Sequence, residues 1–247
     1  MASPLNTLCE ILGLTESHLV PIQSESDQGQ FRAREGAATA FERLAARAAS
    51  AGFQLAIASG YRSYDRQLSL FNGKCLGDRQ VLSESGLPLD RQVTAEHDWL
   101  EAILRYSALP GTSRHHWGTD IDIWDRAAVS DDYALKLVAS EYESGGVFGE
   151  LSAWLDELIN ADNAEGFFRP YDVDRGGVAP EPWHISFRSE AAICYDALSV
   201  SACLPLWAGE PDPQGVCHPV LAMQDLVAPD AEAIFERYVW GSHLSGR

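Results

Sequence analysis

The sequence predicts an α+β fold, and three stretches carry that expectation. Residues 37–51 are rich in Ala, Glu and Arg, with Phe41, Leu44 and Ala48 at helical spacing, and they lead into a buried strand at 53–58. Residues 120–124, Asp-Ile-Asp-Ile-Trp, alternate polar and apolar with the period of a strand. Leu151, Trp154, Leu155, Leu158 and Ile159 form one apolar stripe of an amphipathic helix.

Taken in order, residues 4–13 suit a short helix with Leu5, Leu8, Ile11 and Leu12 on one side. Residues 23–30 are polar and read as loop. Gly52 stops the helix of 37–51, and the strand that follows ends in Ser59-Gly60. Ser63 is placed to cap a helix through Gln67, Leu68 and Phe71, with Gly73 near its end, because a serine oxygen can accept an orphan amide proton of the first turn. Arg62 therefore stands on a strand-to-helix corner, where side chains face clefts. Residues 76–94 read as a long loop or flap, and 94–109 as a helix broken by Pro110-Gly111. After the stripe at 151–159 come a strand at 166–171, a loop at 172–180, a short strand at 182–187 and a helix at 189–198. The proline-containing tail from Leu204 ends in a helix at 230–240 and reads as an appendage, so residues 1–247 form a single domain. Its core covers about 36–190, with an N-terminal helical segment and a C-terminal extension at 204–247.

Composition narrows the function. Hydrophobic residues make up 46% and charged residues 22%, values of a globular chain with a core. Lys+Arg is 18 against Asp+Glu 36, a formal charge of −18. That balance excludes nucleic acid and disfavours anionic membranes or wall polymers, since both rely on cationic side chains. A small diffusible ligand suits it better. The first 22 residues lack the basic and apolar regions of a secretory signal, no stretch reaches a membrane span, and five cysteines show no CxxC spacing. Free thiols and a cytoplasmic location are the expectation. Oligomeric state is left open.

The densest chemistry lies in Ser113-Arg114-His115-His116-Trp117-Gly118-Thr119-Asp120-Ile121-Asp122, answered downstream by Glu181-Pro182-Trp183-His184. Gly118 permits a tight turn, and Asp120, Asp122 and Trp124 then share one strand face. Carboxylates on a half-buried strand are costly unless a cation or hydrogen bonds compensate them. Catalytic zinc sites use three ligands from His, Asp, Glu and Cys and keep one position open, a set that His115, Asp122 and His184 can supply. Glu181, three residues before His184, can take a proton from water and pass it to a leaving amine.

The pattern SxHxxGxxxD followed by ExWH, with SGYRSYDRQ at residues 59–67, resembles the zinc D-alanyl-D-alanine carboxypeptidase and dipeptidase family, the VanY/VanX-like metallopeptidases. The resemblance covers roughly residues 36–190. It implies a small antiparallel sheet carrying the zinc site, flanked by helices. It implies one Zn2+ per chain on His115, Asp122 and His184, with Glu181 as general base. Arg62 would hold the substrate's terminal carboxylate or the developing oxyanion, and Gln67, Ser113 and Ser59 would join the substrate-binding set. The family usually has a small residue where Asp120 stands, so Asp120 would bond a ligand from behind or alter the pocket's charge. His116 and Trp117 are read as structural or pocket-lining, with no assigned role. The implied reaction is removal of a C-terminal D-Ala from peptidoglycan-derived peptides; the residues do not distinguish L,D from D,D cleavage, and the expected cytoplasmic location favours L,D-cleavage of tetrapeptide muropeptides in cell-wall recycling. The alternatives are a D,D-carboxypeptidase, a D-Ala-D-Ala dipeptidase, or a non-catalytic zinc-bearing module, the last of which would not need Glu181.

Overall fold

The organising element is a four-stranded sheet in which every neighbouring pair is antiparallel. The structure, a computed structural model, describes residues 4–24, 26, 29–84 and 86–241. The side chain of Leu5, loop residues 25, 27, 28 and 85, and the end of the tail at 242–247 lie outside the described residues.

Helix α1 (Pro4–Ile11) is followed by a small pair, β1 (Val20–Pro21) with β2 (Arg32–Ala33). Then come α2 (Glu35–Ser50), β3 (Leu55–Ser59), α3 (Tyr64–Cys75) and α4 (Glu96–Leu104). A 3-10 turn at Arg114–Trp117 leads into β4 (Asp120–Asp125). Beyond it lie α5 (Ala139–Tyr142), α6 (Gly149–Asn160), β5 (Phe167–Phe168), β6 (His184–Phe187) and α7 (Arg188–Ala197). The C-terminal segment adds α8 (Val200–Trp207), α9 (Gln224–Val227) and α10 (Ala231–Ile234), the last running into one π turn at Phe235–Val239.

The sheet order is β3-β4-β6-β5. One face carries Leu55, Ile57, Ile121, Ile123 and Ile185, which share a core with Phe41 and Leu44 of α2 and Leu151 and Leu155 of α6. Because side chains alternate along a strand, the opposite face of β4 receives Asp120, Asp122 and Trp124. The expected alternation is thus realised, but the aspartates are buried, Asp120 at 1% and Asp122 at 5% exposure, rather than lying on a solvated edge.

Several boundaries differ from expectation for local reasons. α3 passes through Gly73 and ends only before Gly77, whose positive φ lets its N–H return to the Lys74 carbonyl. α4 starts later than 94 because both the Thr94 N–H and hydroxyl donate to the Asp90 carbonyl. It stops before 109 because Arg105 reaches away to the Gly177 carbonyl and the Ala108 carbonyl is taken by Gln67. The strand at 166–171 shortens to two residues because Arg169 turns to Asp156 and Ser152. The one at 182–187 starts at His184, whose N–H closes a turn onto the Glu181 carbonyl.

A second core lies under α1, α3, α4, α7 and the C-terminal segment, built around Phe71, Trp99, Trp117, Trp207 and Phe235. Trp207 donates its indole N–H to the Pro110 carbonyl at 2.9 Å, and Asn72 of α3 clasps the Val220 carbonyl and the Ala222 N–H. All five cysteines are free thiols. No helix among the described residues is long and apolar enough to cross a membrane.

Candidate metal centre

Sheet register brings the distant segments together. Asp122 pairs with His184 across β4 and β6, and with Ser59 across β4 and β3. Between Ile57 and Ser59 the β3 register slips by one residue, a bulge that re-aims the end of the strand. The bulge delivers the Gly60 carbonyl to His115 Nδ1 at 2.9 Å and sends the chain on to Arg62. Gly118 closes the 3-10 turn with φ 71°, and any Cβ there would overlap the Leu19 side chain and lie 3.2 Å from the Arg34 nitrogen. Glycine is therefore required where the histidine-bearing turn enters β4.

His115, Asp122 and His184 are all buried, and each offers one ligand atom within 4.8 Å of the others. His115 uses Nδ1–H on the Gly60 carbonyl, which leaves the Nε2 lone pair facing Asp122 Oδ2 at 3.4 Å. His184 uses Nε2–H on Asp120 Oδ1 at 2.8 Å, which leaves Nδ1 facing Asp122 Oδ1 at 3.2 Å. His184 Nδ1 and Asp122 Oδ1 have no hydrogen-bond partner despite their burial. Two imidazole lone pairs and a carboxylate converging on one point, with His184 Nδ1 and Asp122 Oδ1 left unpaired, fit a zinc ion, whose ligands are deprotonated nitrogen and oxygen donors.

The charge of the site supports the same fit. Burial works to raise the Asp122 pKa, but His115 and His184 hold it below the ordinary carboxylate range, so it stays ionised. Burial works to lower the His184 pKa, yet the hydrogen bond to Asp120 and the nearby carboxylates of Asp122 and Glu181 carry it well above the ordinary value. Three carboxylates around one imidazole make a negative hole that a dication would neutralise.

Asp120 lies behind the trio. It accepts from His184 Nε2, from Arg114 Nε at 2.8 Å, from Ser186 Oγ at 3.0 Å and from Thr119 Oγ1 at 2.5 Å. Burial opposes its ionisation, but the Arg114 guanidinium and the His184 hydrogen bond keep its pKa low. Arg114 lies over the Trp117 ring, 4.7 Å from its centroid. Glu181 places Oε2 3.3 Å from His184 Nδ1 and lines the adjoining cavity.

That cavity measures about 870 Å³ and is walled by Arg62, Ser113, His115, Asp122, Glu181 and His184, among others. Of the residues expected to touch substrate, Arg62 and Ser113 line it. Gln67 and Ser59 stand behind Arg62 instead: the guanidinium donates to Gln67 Oε1 at 2.8 Å and to Ser59 Oγ at 3.2 Å. Gln67 is fully buried and gives its amide to the Ala108 carbonyl. The Arg62 backbone is fixed at both ends, its N–H on the His115 carbonyl at 3.1 Å and its carbonyl accepting from His116 Nδ1 at 2.6 Å. His116 Nε2 accepts from the Gly111 N–H, and burial lowers its pKa to about 3, so a neutral ring holds the corner. Sequence reading left His116 without a role, because a second histidine beside a ligand carries no signal of the backbone atoms it will meet.

A family model for VanY, D-alanyl-D-alanine carboxypeptidase, matches residues 30–190, a span that holds every residue of this site. Two uncharacterized proteins of Haemophilus influenzae are similar to parts of the chain. One is 38% identical over 103 residues, 41% of this chain and 77% of its own length. The other is 34% identical over 99 residues, 40% of this chain and 67% of its own. Among solved structures, VanYB in complex with D-alanine-D-alanine is 22% identical, covers 75% of this chain and 88% of its own, and has a TM-score of 0.47. The LdcB LD-carboxypeptidase is 25% identical, covers 74% and 75%, and has a TM-score of 0.48.

Proposed function

The chain belongs to the VanY family of zinc D-alanyl-D-alanine carboxypeptidases, and from that membership we propose that it removes a C-terminal D-amino acid from peptidoglycan-derived stem peptides. The observation that carries the reading is the tautomer pair. Gly60 and Asp120 each engage the far nitrogen of one histidine, so the near lone pairs meet beside Asp122.

In this reading His115 Nε2, His184 Nδ1 and the Asp122 carboxylate hold the zinc. When bound, the metal polarises the scissile carbonyl and lowers the pKa of a water. Glu181, on the cavity side of His184, takes the proton of the attacking water and returns it to the leaving amine. Arg62 presents a guanidinium braced by Gln67 and Ser59 to the terminal carboxylate or to the oxyanion. Ser113 lines the same wall. Asp120 fixes the His184 ring, and Arg114 compensates the charge that Asp120 adds.

We place the tetrapeptide first among substrates and the cytoplasm as the compartment. Recycled muropeptides there end in one D-Ala on an L-centre, which makes the reaction an L,D-cleavage. A charge of −18 suits soluble fragments better than anionic wall polymer. Purified tripeptide, tetrapeptide and pentapeptide muropeptides, incubated with zinc-loaded protein and resolved by mass, test this. Tetrapeptide is expected to yield tripeptide and D-alanine. Pentapeptide cleaved in its place would make the enzyme a D,D-carboxypeptidase. A metal-loaded protein that cleaves none of them would be a binding module.

A further inference from the structure

The cavity beside the metal centre has two unlike ends. On the α3–α4 side its wall includes the buried Val81 and Ile103 and the small Ala108. On the side beyond β4 the wall is exposed, with Lys136, Ser140 and Glu143.

Among the described residues, two half-buried cations on the wall have no carboxylate partner: Arg62 and Lys74. The other charges are committed or lie at the rim. Arg105 is tied to Asp174 and the Gly177 carbonyl, and Arg114 to Asp120. Lys136, Glu84 and Glu143 are exposed. Lys74 lies on α3 seven residues beyond Gln67, hence on the same helix face and about 10 Å further along the axis. Its carbonyl is pinned by the Trp99 indole N–H at 3.1 Å, while its flexible four-methylene stem lines the same cavity as Arg62. Burial, then the charge of Arg62, lowers the Lys74 pKa, and Glu181 opposes that shift. An ammonium kept there without a partner is costly until an anion arrives.

Cleavage of a C-terminal residue involves two negative loci, the standing terminal carboxylate and the oxyanion that develops at the scissile carbonyl. They lie roughly one residue apart, ~3.8 Å or a little more. Arg62 stands at the scissile centre, its N–H on the His115 carbonyl and its guanidinium on Ser59, which faces Asp122 across the sheet, whereas Lys74 lies further along α3. We propose that Lys74 is the anchor for the substrate's terminal carboxylate and that Arg62 is thereby left to the oxyanion. The proposal rests on the carboxypeptidase reading and divides between two cations what that reading asks of one.

The test compares free-acid and C-terminally amidated forms of one D-Ala-terminated peptide, using the zinc-loaded protein and its Lys74→Met, Lys74→Arg and Arg62→Ala variants. Zinc content and melting temperature verify that each variant is folded. Lys74→Met should raise KM for the free acid by about 10- to 100-fold, the scale of one lost charge-assisted hydrogen bond, with a smaller change in kcat. Its preference for acid over amide should fall by a similar factor, and Lys74→Arg should recover part of it. Arg62→Ala should lose kcat while keeping the preference. The proposal is overturned if Lys74→Met keeps the native KM and preference, or if the preference disappears in Arg62→Ala instead. A native enzyme that cleaves acid and amide equally would overturn the carboxypeptidase reading itself, and this proposal with it.

Discussion

Asp120 and Glu181 are two carboxylates beside one histidine with opposite consequences for the metal. Asp120 is buried and spends its oxygens on His184, Arg114, Thr119 and Ser186. Asp120→Asn keeps an acceptor but removes the charge, so zinc affinity in a competition titration should fall about 10- to 100-fold. The same change strands the Arg114 guanidinium and should lower stability by about 3–5 kcal/mol. Unaltered zinc affinity in a folded Asp120→Asn protein would mean that His184 needs no such support. Glu181 faces the cavity and is proposed to act on water rather than to hold the metal. Glu181→Ala should retain zinc and lose about 10²–10⁴-fold in kcat. Loss of metal from that variant, still folded, would show a ligand mistaken for a base.

Among the elements, those with strong local patterns could be read from sequence and those made by tertiary contacts could not. The alternation at 120–124 foretold which side chains share a face of β4, because the pleat allows no other arrangement. The helix caps at Ser63 and the apolar stripe of α6 were equally local. The β3 bulge was hidden: nothing in Leu55–Ser59 marks a slipped register, yet it sets Ser59 opposite Asp122 and hands Gly60 to His115. The motif spacing named His115, Asp122 and His184; the sheet register gathers the last two, and the 3-10 turn held by Gly60 brings in His115. The spacing was silent on Lys74, since a lone lysine near the end of a helix reads as an ordinary solvated charge. It also placed Gln67 in the pocket, where helix phase alone cannot tell a side chain that touches substrate from one that braces a neighbour.

Among the described residues, two large cores and a smaller cluster of Tyr142, Phe148 and Trp183 surround the site. One large core lies under the isoleucine face of the sheet, and the other lies under α3 and α4, closed by the C-terminal segment. The expected helix at 230–240 proved to be α10 followed by a π turn, and Phe235 within that turn is fully buried. Trp207 is likewise inaccessible and ties α8 to Pro110, just before the histidine-bearing turn. Trp207→Ala should therefore destabilise the protein by about 3–5 kcal/mol in a denaturant titration. A change below ~1 kcal/mol would show that the segment is dispensable to the core.

The measurement closest to the central claim is metal content together with coordination. The native protein should carry one zinc per chain, and X-ray absorption should show two imidazole nitrogens and carboxylate oxygen with one further light-atom position. Replacing His115 and His184 together by alanine should abolish stoichiometric zinc while the fold persists. Stoichiometric zinc in that double variant, or sulfur in the native coordination shell, would contradict the site described.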